Sequence, residues 1–138
     1  MNFDIKINSI KEREITTNAN QTTSFLWQGE NVLSTPSMIS EMEETCRLLL
    51  KELFLKDPDW DSVGTIVNIQ HLAATPVGCN IKLKAVVDSV NDRRVMFHVE
   101  AFDDIEKIGD GKHERFIINI PKFRSKFEDK RKKLSIQT

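Results

Sequence analysis

Thr35-Pro36 and the eighteen residues that follow, SMISEMEETCRLLLKELF (residues 37–54), decide how the rest of the chain is read. Thr35 suits the cap of a helix, and Pro36 suits its first position, where no backbone N–H is needed. At about 100° per residue, Met38, Met42, Cys46, Leu49, Leu50, Leu53 and Phe54 gather into one broad apolar arc. Glu41, Glu44, Lys51 and Glu52 fall on the other side. Glu43 does not: it projects onto the edge of the arc, near Leu50. It is either a margin residue leaning to water or a carboxylate held in a pocket for chemistry.

Upstream of this helix, residues 3–15 alternate loosely through Ile5, Ile7 and Ile10, with residues 10–15 resembling a half-exposed strand. Residues 16–23 are polar and turn-like, and residues 24–27 suit a short strand or a covering loop. Downstream, residues 56–59 form a break, and four strand candidates follow closely. Residues 63–74 place Val63, Val67, Ile69 and His71 on one face. A turn through Thr75-Pro76-Val77-Gly78 leads to residues 79–90, with Cys79, Ile81, Leu83, Ala85 and Val87 on one face. Residues 94–102 set Val95, Phe97 and Val99 against His98 and Glu100. Residues 105–120 form the last strand, with a bulge or kink expected at Gly109-Asp110-Gly111. Short connections imply an antiparallel meander, and its apolar face needs a cover. The one sizeable apolar helix is that cover. An α+β hot-dog architecture follows from this order: a curved antiparallel sheet of about six strands wrapped around one long central helix.

A chain of 138 residues suits a single domain, residues 1–138, with a basic C-terminal segment at 122–138. The net charge of −1 argues for no nucleic-acid partner. The basic cluster in residues 122–133 reads as a solvated terminal helix. No apolar run has the length of a membrane span and no signal-peptide pattern is present, so a cytoplasmic protein is expected. Cys46 and Cys79 read as buried free thiols, with no CxxC and no partner His at metal spacing, and no metal site is expected.

His71 is the second misfit, an imidazole on an apolar strand face. Alone, it reads as a core-edge histidine, and Glu43 alone as an edge carboxylate. Together with the Thr35 hydroxyl they could converge at one end of the helix–sheet contact. A hydroxyl, a carboxylate and an imidazole can run acyl transfer, and a helix N-terminus can stabilise an oxyanion.

Three segments carry a family resemblance: His71-Leu72-Ala73-Ala74-Thr75-Pro76-Val77-Gly78, Thr35 followed eight residues later by Glu43, and Ile108-Gly109-Asp110-Gly111-Lys112-His113-Glu114-Arg115. They resemble the hot-dog thioesterases related to fluoroacetyl-CoA thioesterase, over residues 34–123. The resemblance implies a homodimer that hydrolyses an acyl-CoA thioester, with Thr35, Glu43 and His71 in the catalytic positions. It implies no cofactor, since CoA is part of the substrate. Gly64 matches a family glycine near the acyl pocket, and Arg115 completes the late motif as a substrate-binding candidate. The sequence departs from the family in the lid: residues 28–34 are short and hold no Phe, which leaves Phe25 and Trp27 to cover the pocket.

A binding module for acyl-CoA or another acyl ligand on the same fold, without turnover, is the alternative. A hot-dog hydratase fits less well, because its Asp/His motif is missing. His113-Glu114-Arg115 reads as a salt-bridged surface or dimer-interface strand, and His98 as solvent-exposed.

Overall fold

A computed structural model describes residues 3–134 of the protein. In chain order it has strand β1 (Ile10–Thr16), a 3-10 turn (Ala19–Gln21), helix α1 (Thr35–Leu53), strands β2 (Trp60–His71), β3 (Asn80–Asn91), β4 (Arg94–Phe102) and β5 (Lys107–Asn119), and helix α2 (Ile120–Lys133). The strands form one antiparallel sheet in the order β1-β3-β4-β5-β2. It has five strands among the described residues rather than about six, because residues 24–27 form a loop and the segment before Ile10 adds no strand.

The apolar arc of α1 lies on this sheet. Met38, Met42, Thr45, Cys46, Leu49 and Leu50 are buried on the helix. They meet Ile81, Leu83, Ala85 and Val87 of β3, Val95, Phe97, Val99 and Ala101 of β4, and Ile108 and Ile117 of β5. Leu53 lies outside that core at 49 % exposure, since the helix ends there and its last turn overhangs the sheet. Cys46 is buried as expected, whereas Cys79 precedes β3 and is exposed; both thiols are free.

Three expectations are corrected. The meander holds for β3-β4-β5, but β2 pairs with β5 rather than β3. Residues 72–79 can span roughly 26 Å when extended, more than the approximately 14 Å across three strand spacings. Val63 does not share a face with Val67, Ile69 and His71, because a register shift between Gly64 and Ile66 resets the alternation. Ser62 and Gly64 point inward before it, while Val63 stands opposite Phe116 on the outer face. The irregularity in β5 falls at Ile108, between the pairs Ala101–Gly109 and Phe102–Lys107, one residue earlier than expected.

The start of α1 also differs. Ser34 is the cap: its Oγ accepts from Ser37 N at 3.2 Å, and its own N–H donates to Gln21 O at 2.8 Å. Thr35 is the first helical residue and Pro36 the second, so the Thr35 hydroxyl is not used in capping. Ser34→Ala is expected to cost about 1 kcal/mol, read as a lower thermal unfolding midpoint. α2 starts at the Asn119 cap, carries Lys130, Arg131, Lys132 and Lys133 in its last turn, and buries no residue.

Candidate functional site

The first turn of α1 faces the C-terminal end of β2. There Thr35 Oγ1 lies 2.8 Å from His71 Nδ1. His71 Nε2 is buried and has no partner among the described protein atoms. Burial draws the His71 pKa below its ordinary value near 6.5, opposed by a hydrogen bond with the backbone at Ala73. The imidazole is therefore neutral at pH 7, and a neutral ring can accept the Thr35 proton at Nδ1. The pair opens on a cleft of about 370 Å³ lined by Thr23, Phe25, Leu26 and Leu33 on one side and by residues 72–74 on the other.

One wall of that cleft is the loop before α1. The Glu30 carboxylate accepts from Thr23 Oγ1 at 2.7 Å and from the backbone N–H of Leu26 and Trp27 at 2.8 and 3.0 Å. These bonds hold the Glu30 pKa low despite opposition from desolvation. Gly29, at φ +78, provides the left-handed turn that brings Glu30 back to the loop tip. Phe25 is 81 % exposed at that tip and lines the cleft; Trp27 is exposed beside it but is not part of the lining.

Glu43 sits elsewhere. Eight residues along a helix are about 12 Å, so within one protomer Glu43 is two turns away from Thr35 and His71. Its carboxylate acts electrostatically on His113, Arg115 and Cys46 instead. His113 and Arg115 both point inward from β5 and are buried, while Glu114 points outward to Arg94 and Thr65. The salt-bridged surface expected of this strand holds for Glu114, while His113 and Arg115 form an inward-facing polar pair. Arg115 donates from Nε to Ser62 Oγ and from Nη2 to Ser62 O, both at 2.7 Å, and its Nη1 lies 3.1 Å from His113 Nε2. Gly64 is exposed on β2 directly over them: a Cβ there would stand 3.0 Å from His113 Cε1 and 3.7 Å from Arg115 Nη1. Its missing side chain leaves a window onto the guanidinium.

The thiol of Cys46 is pushed far up by burial, which leaves it protonated and unreactive. One group of metal-ligand types occurs among the described residues, His98, Glu100 and Asp110 on the outer face. Lys107 Nζ lies 2.6 Å from Glu100 and 2.8 Å from Asp110, so an ammonium already fills the cation position. His98 is half-buried there, bonded to Asp110 at 2.7 Å rather than open to solvent.

A family model described as FlK, fluoroacetyl-CoA-specific thioesterase, matches residues 10–121. The chain belongs to this family. The match starts at β1 and stops in the first turn of α2, so it takes in both halves of the site and leaves most of the basic helix outside. The fluoroacetyl-CoA thioesterase of Streptantibioticus cattleyicolor is 35% identical over 99 residues, which are 72% of this chain and 70% of the relative. A solved structure of the fluoroacetyl-CoA thioesterase FlK superposes with a TM-score of 0.82 at 27% identity, over 91% of this chain and 97% of that one. A Thermus thermophilus member of the thioesterase superfamily shares the fold, with a TM-score of 0.83 at 22% identity over 96% and 98% of the two chains. The hot-dog assignment is therefore correct.

Sequence reasoning missed the pairing of Ser62 with Arg115 and the neutral state of His113. The signal for the second was available: alternation puts His113 and Arg115 on one face with Ile117, and Ile117 belongs in a core.

Burial lowers the pKa of both His71 and His113 from an ordinary value near 6.5. The unfolded chain then binds more protons than the folded one at acidic pH. The stability from these two groups is complete above pH 6.5 and is lost as the pH falls below it. The thermal midpoint is expected to be flat around neutrality and to fall toward pH 5, with a shallower fall for His113→Gln.

Proposed function

We propose that the protein hydrolyses a small acyl-CoA thioester to the free acid and CoA, using side chains and water alone, as a cytoplasmic homodimer. The observation that carries this is the bond between Thr35 Oγ1 and His71 Nδ1, at a cleft whose imidazole keeps a second nitrogen unpaired. In this reading Nδ1 takes a proton either from the Thr35 hydroxyl or from a water that the hydroxyl holds. The oxygen attacks the thioester carbon, and the proton passes to the departing CoA sulfur. In the first case a water then cleaves the acyl-threonine ester. Rapid quench and mass analysis decides between the two: acyl mass on Thr35 means the covalent route.

Family membership supports thioester chemistry, and a variant of the relative FlK has been solved in complex with acetyl-CoA. Among the described residues no helix is long and apolar enough to cross a membrane. Release of free CoA from a panel of short acyl-CoAs, with fluoroacetyl-CoA beside acetyl-CoA, is the test. A protein that binds CoA normally and cleaves none of them is not a thioesterase but an acyl-CoA binding module.

The dimer accounts for the distance of Glu43. β2 is an edge strand of 12 residues, with Ile66 and Val67 exposed along it. Unpaired edges of this kind are usually covered, and a two-fold contact covers both copies at once. An axis at Asn68 would pair Val67 with Ile69 on the inner face and set the Gly64–Thr65 bulge of one copy opposite His71 of the other. In this reading Thr35 and His71 of one protomer work with Glu43, Gly64 and Arg115 of its partner, and Phe25 stands at the mouth. Co-refolding equal amounts of Thr35→Ala and Glu43→Gln chains tests it. Half the dimers would be mixed, each with one intact site, so about one quarter of wild-type activity returns. Activity no higher than either variant alone would place all three residues in one protomer.

A further inference from the structure

We propose that His113 is a positioning residue that holds the Arg115 guanidinium in place beneath Gly64, through its neutral tautomer protonated at Nδ1. This rests on the reading above, in which Arg115 faces the acyl end of the substrate.

The tautomer follows from the two neighbours of the ring. Ile66 O lies 2.8 Å from Nδ1, and a carbonyl can only accept, so Nδ1 carries the proton. Arg115 Nη1 lies 3.1 Å from Nε2, and a guanidinium can only donate, so Nε2 is the bare nitrogen. No other protonation state satisfies both contacts, and an imidazolium would turn an N–H against a guanidinium N–H.

Arg115 needs such a partner because of where it is. It is 6% exposed, and among the described residues no carboxylate lies within ion-pair distance. Its direct partners are Ser62 Oγ, Ser62 O and His113 Nε2, all neutral. Glu43 and Asp61 act on it only at longer range. A buried cation without a paired anion is costly, and a fold that needed only packing there would favour an apolar side chain. Such a charge is useful when it is aimed at negative charge in a substrate or transition state and is unable to turn away. Ser62 fixes the Nε–Nη2 edge. His113 fixes Nη1, the nitrogen nearest the Gly64 window.

The charged and titratable groups acting on His113 are Arg115 on its own strand and Glu43 on α1, with the thiol of Cys46 beside them on α1. β2 contributes the Ile66 carbonyl and Gly64, and β4 contributes Phe97 opposite the ring.

The test is a double-mutant cycle on hydrolysis by the full chain, with His113→Leu, His113→Gln and Arg115→Met. His113→Leu removes the acceptor, and a misplaced guanidinium is expected to lower kcat/KM by on the order of 10- to 100-fold. His113→Gln offers an amide oxygen to Nη1 and is expected to recover to within about threefold of wild type. In the Arg115→Met background, both His113 substitutions are expected to change the rate by less than about twofold, because the effect runs through Arg115. Equal losses for Leu and Gln, or His113 effects that persist without Arg115, overturn the proposal. Should His113→Leu not fold, the glutamine variant in the two backgrounds and ring nitrogen NMR carry the decision. The expected spectrum at pH 7 is a protonated Nδ1 and a bare Nε2, whose resonance moves in Arg115→Met. A protonated Nε2 overturns the proposal. The spectrum needs no turnover, so its failure is separate from a failure of the thioesterase reading.

Discussion

His71→Ala is expected to lower kcat for an accepted acyl-CoA by about 10²- to 10⁴-fold, the range over which a positioned general base acts. KM is expected to change little, because the base contributes when its proton is in flight and not when substrate docks. The variant should fold normally: His71 ends β2, is half-buried, and bonds only to Thr35 and the neighbouring backbone at Ala73 at the cleft edge. His71→Gln separates the hydrogen bond from the base. Glutamine can still accept from the Thr35 hydroxyl but cannot take up its proton, so it should be nearly as slow as alanine. If alanine leaves kcat within threefold, the base is elsewhere, and Glu43 becomes the first candidate. Above pH 6.5 the wild-type rate should be flat in this group, and it should fall on acidification as the imidazole protonates. The acid limb should lie below the ordinary histidine range, because burial lowers the His71 pKa.

Gly111→Ala is expected to be the most damaging single methyl in the sheet, costing about 3 kcal/mol or more. Gly111 is the β5 partner of Ile69 on β2. A Cβ there would meet the Asn68 carbonyl oxygen and would stand 2.6 Å from Ile69 Cα. Both are backbone atoms of a paired strand and cannot rotate aside, so the two strands must separate. Gly109 is the control. A Cβ at 109 would meet Met38 Sδ at 2.8 Å, the end of a flexible side chain that can move, so Gly109→Ala should be several-fold milder. Chemical denaturation of the three proteins gives the comparison. Gly111→Ala should also reduce activity in whatever fraction stays folded, because Ile69 is two residues from His71.

Most of the core was readable because it depends on strict periods. Met38, Met42, Cys46, Leu49 and Leu50 follow the helical repeat, and Ile81 to Val87 and Val95 to Val99 follow the strand alternation. What failed depends on breaks in those periods. The shift at Gly64 moves Val63 to the outer face, and its one signal in the sequence is that isolated glycine inside a strand pattern. The placement of β2 beside β5 depends on which edge a helix-covered sheet leaves open, a tertiary choice that short loops do not dictate. At the site, Thr35 and His71 were legible as a pair and are one. Glu43 was legible as a misfit, but its position two turns away follows from the helix being continuous through residue 43. Ser34 took the cap in place of Thr35 because two adjacent hydroxyl residues compete for that role, and the sequence does not rank them.

The continuity of α1 sets a limit on how this protein can change. Thr35 and Glu43 are both carried on one rigid rod, with eight steps of about 100° between them, so their side chains leave the axis in directions about 80° apart. One inserted or deleted residue between them would rotate one relative to the other by about 100° and shift it by about 1.5 Å. No rotamer could correct that. Residues 36–42 should therefore accept substitutions on their outer side but no change in length, whereas α2, which buries nothing and lies mostly beyond the family match, can be lengthened or trimmed.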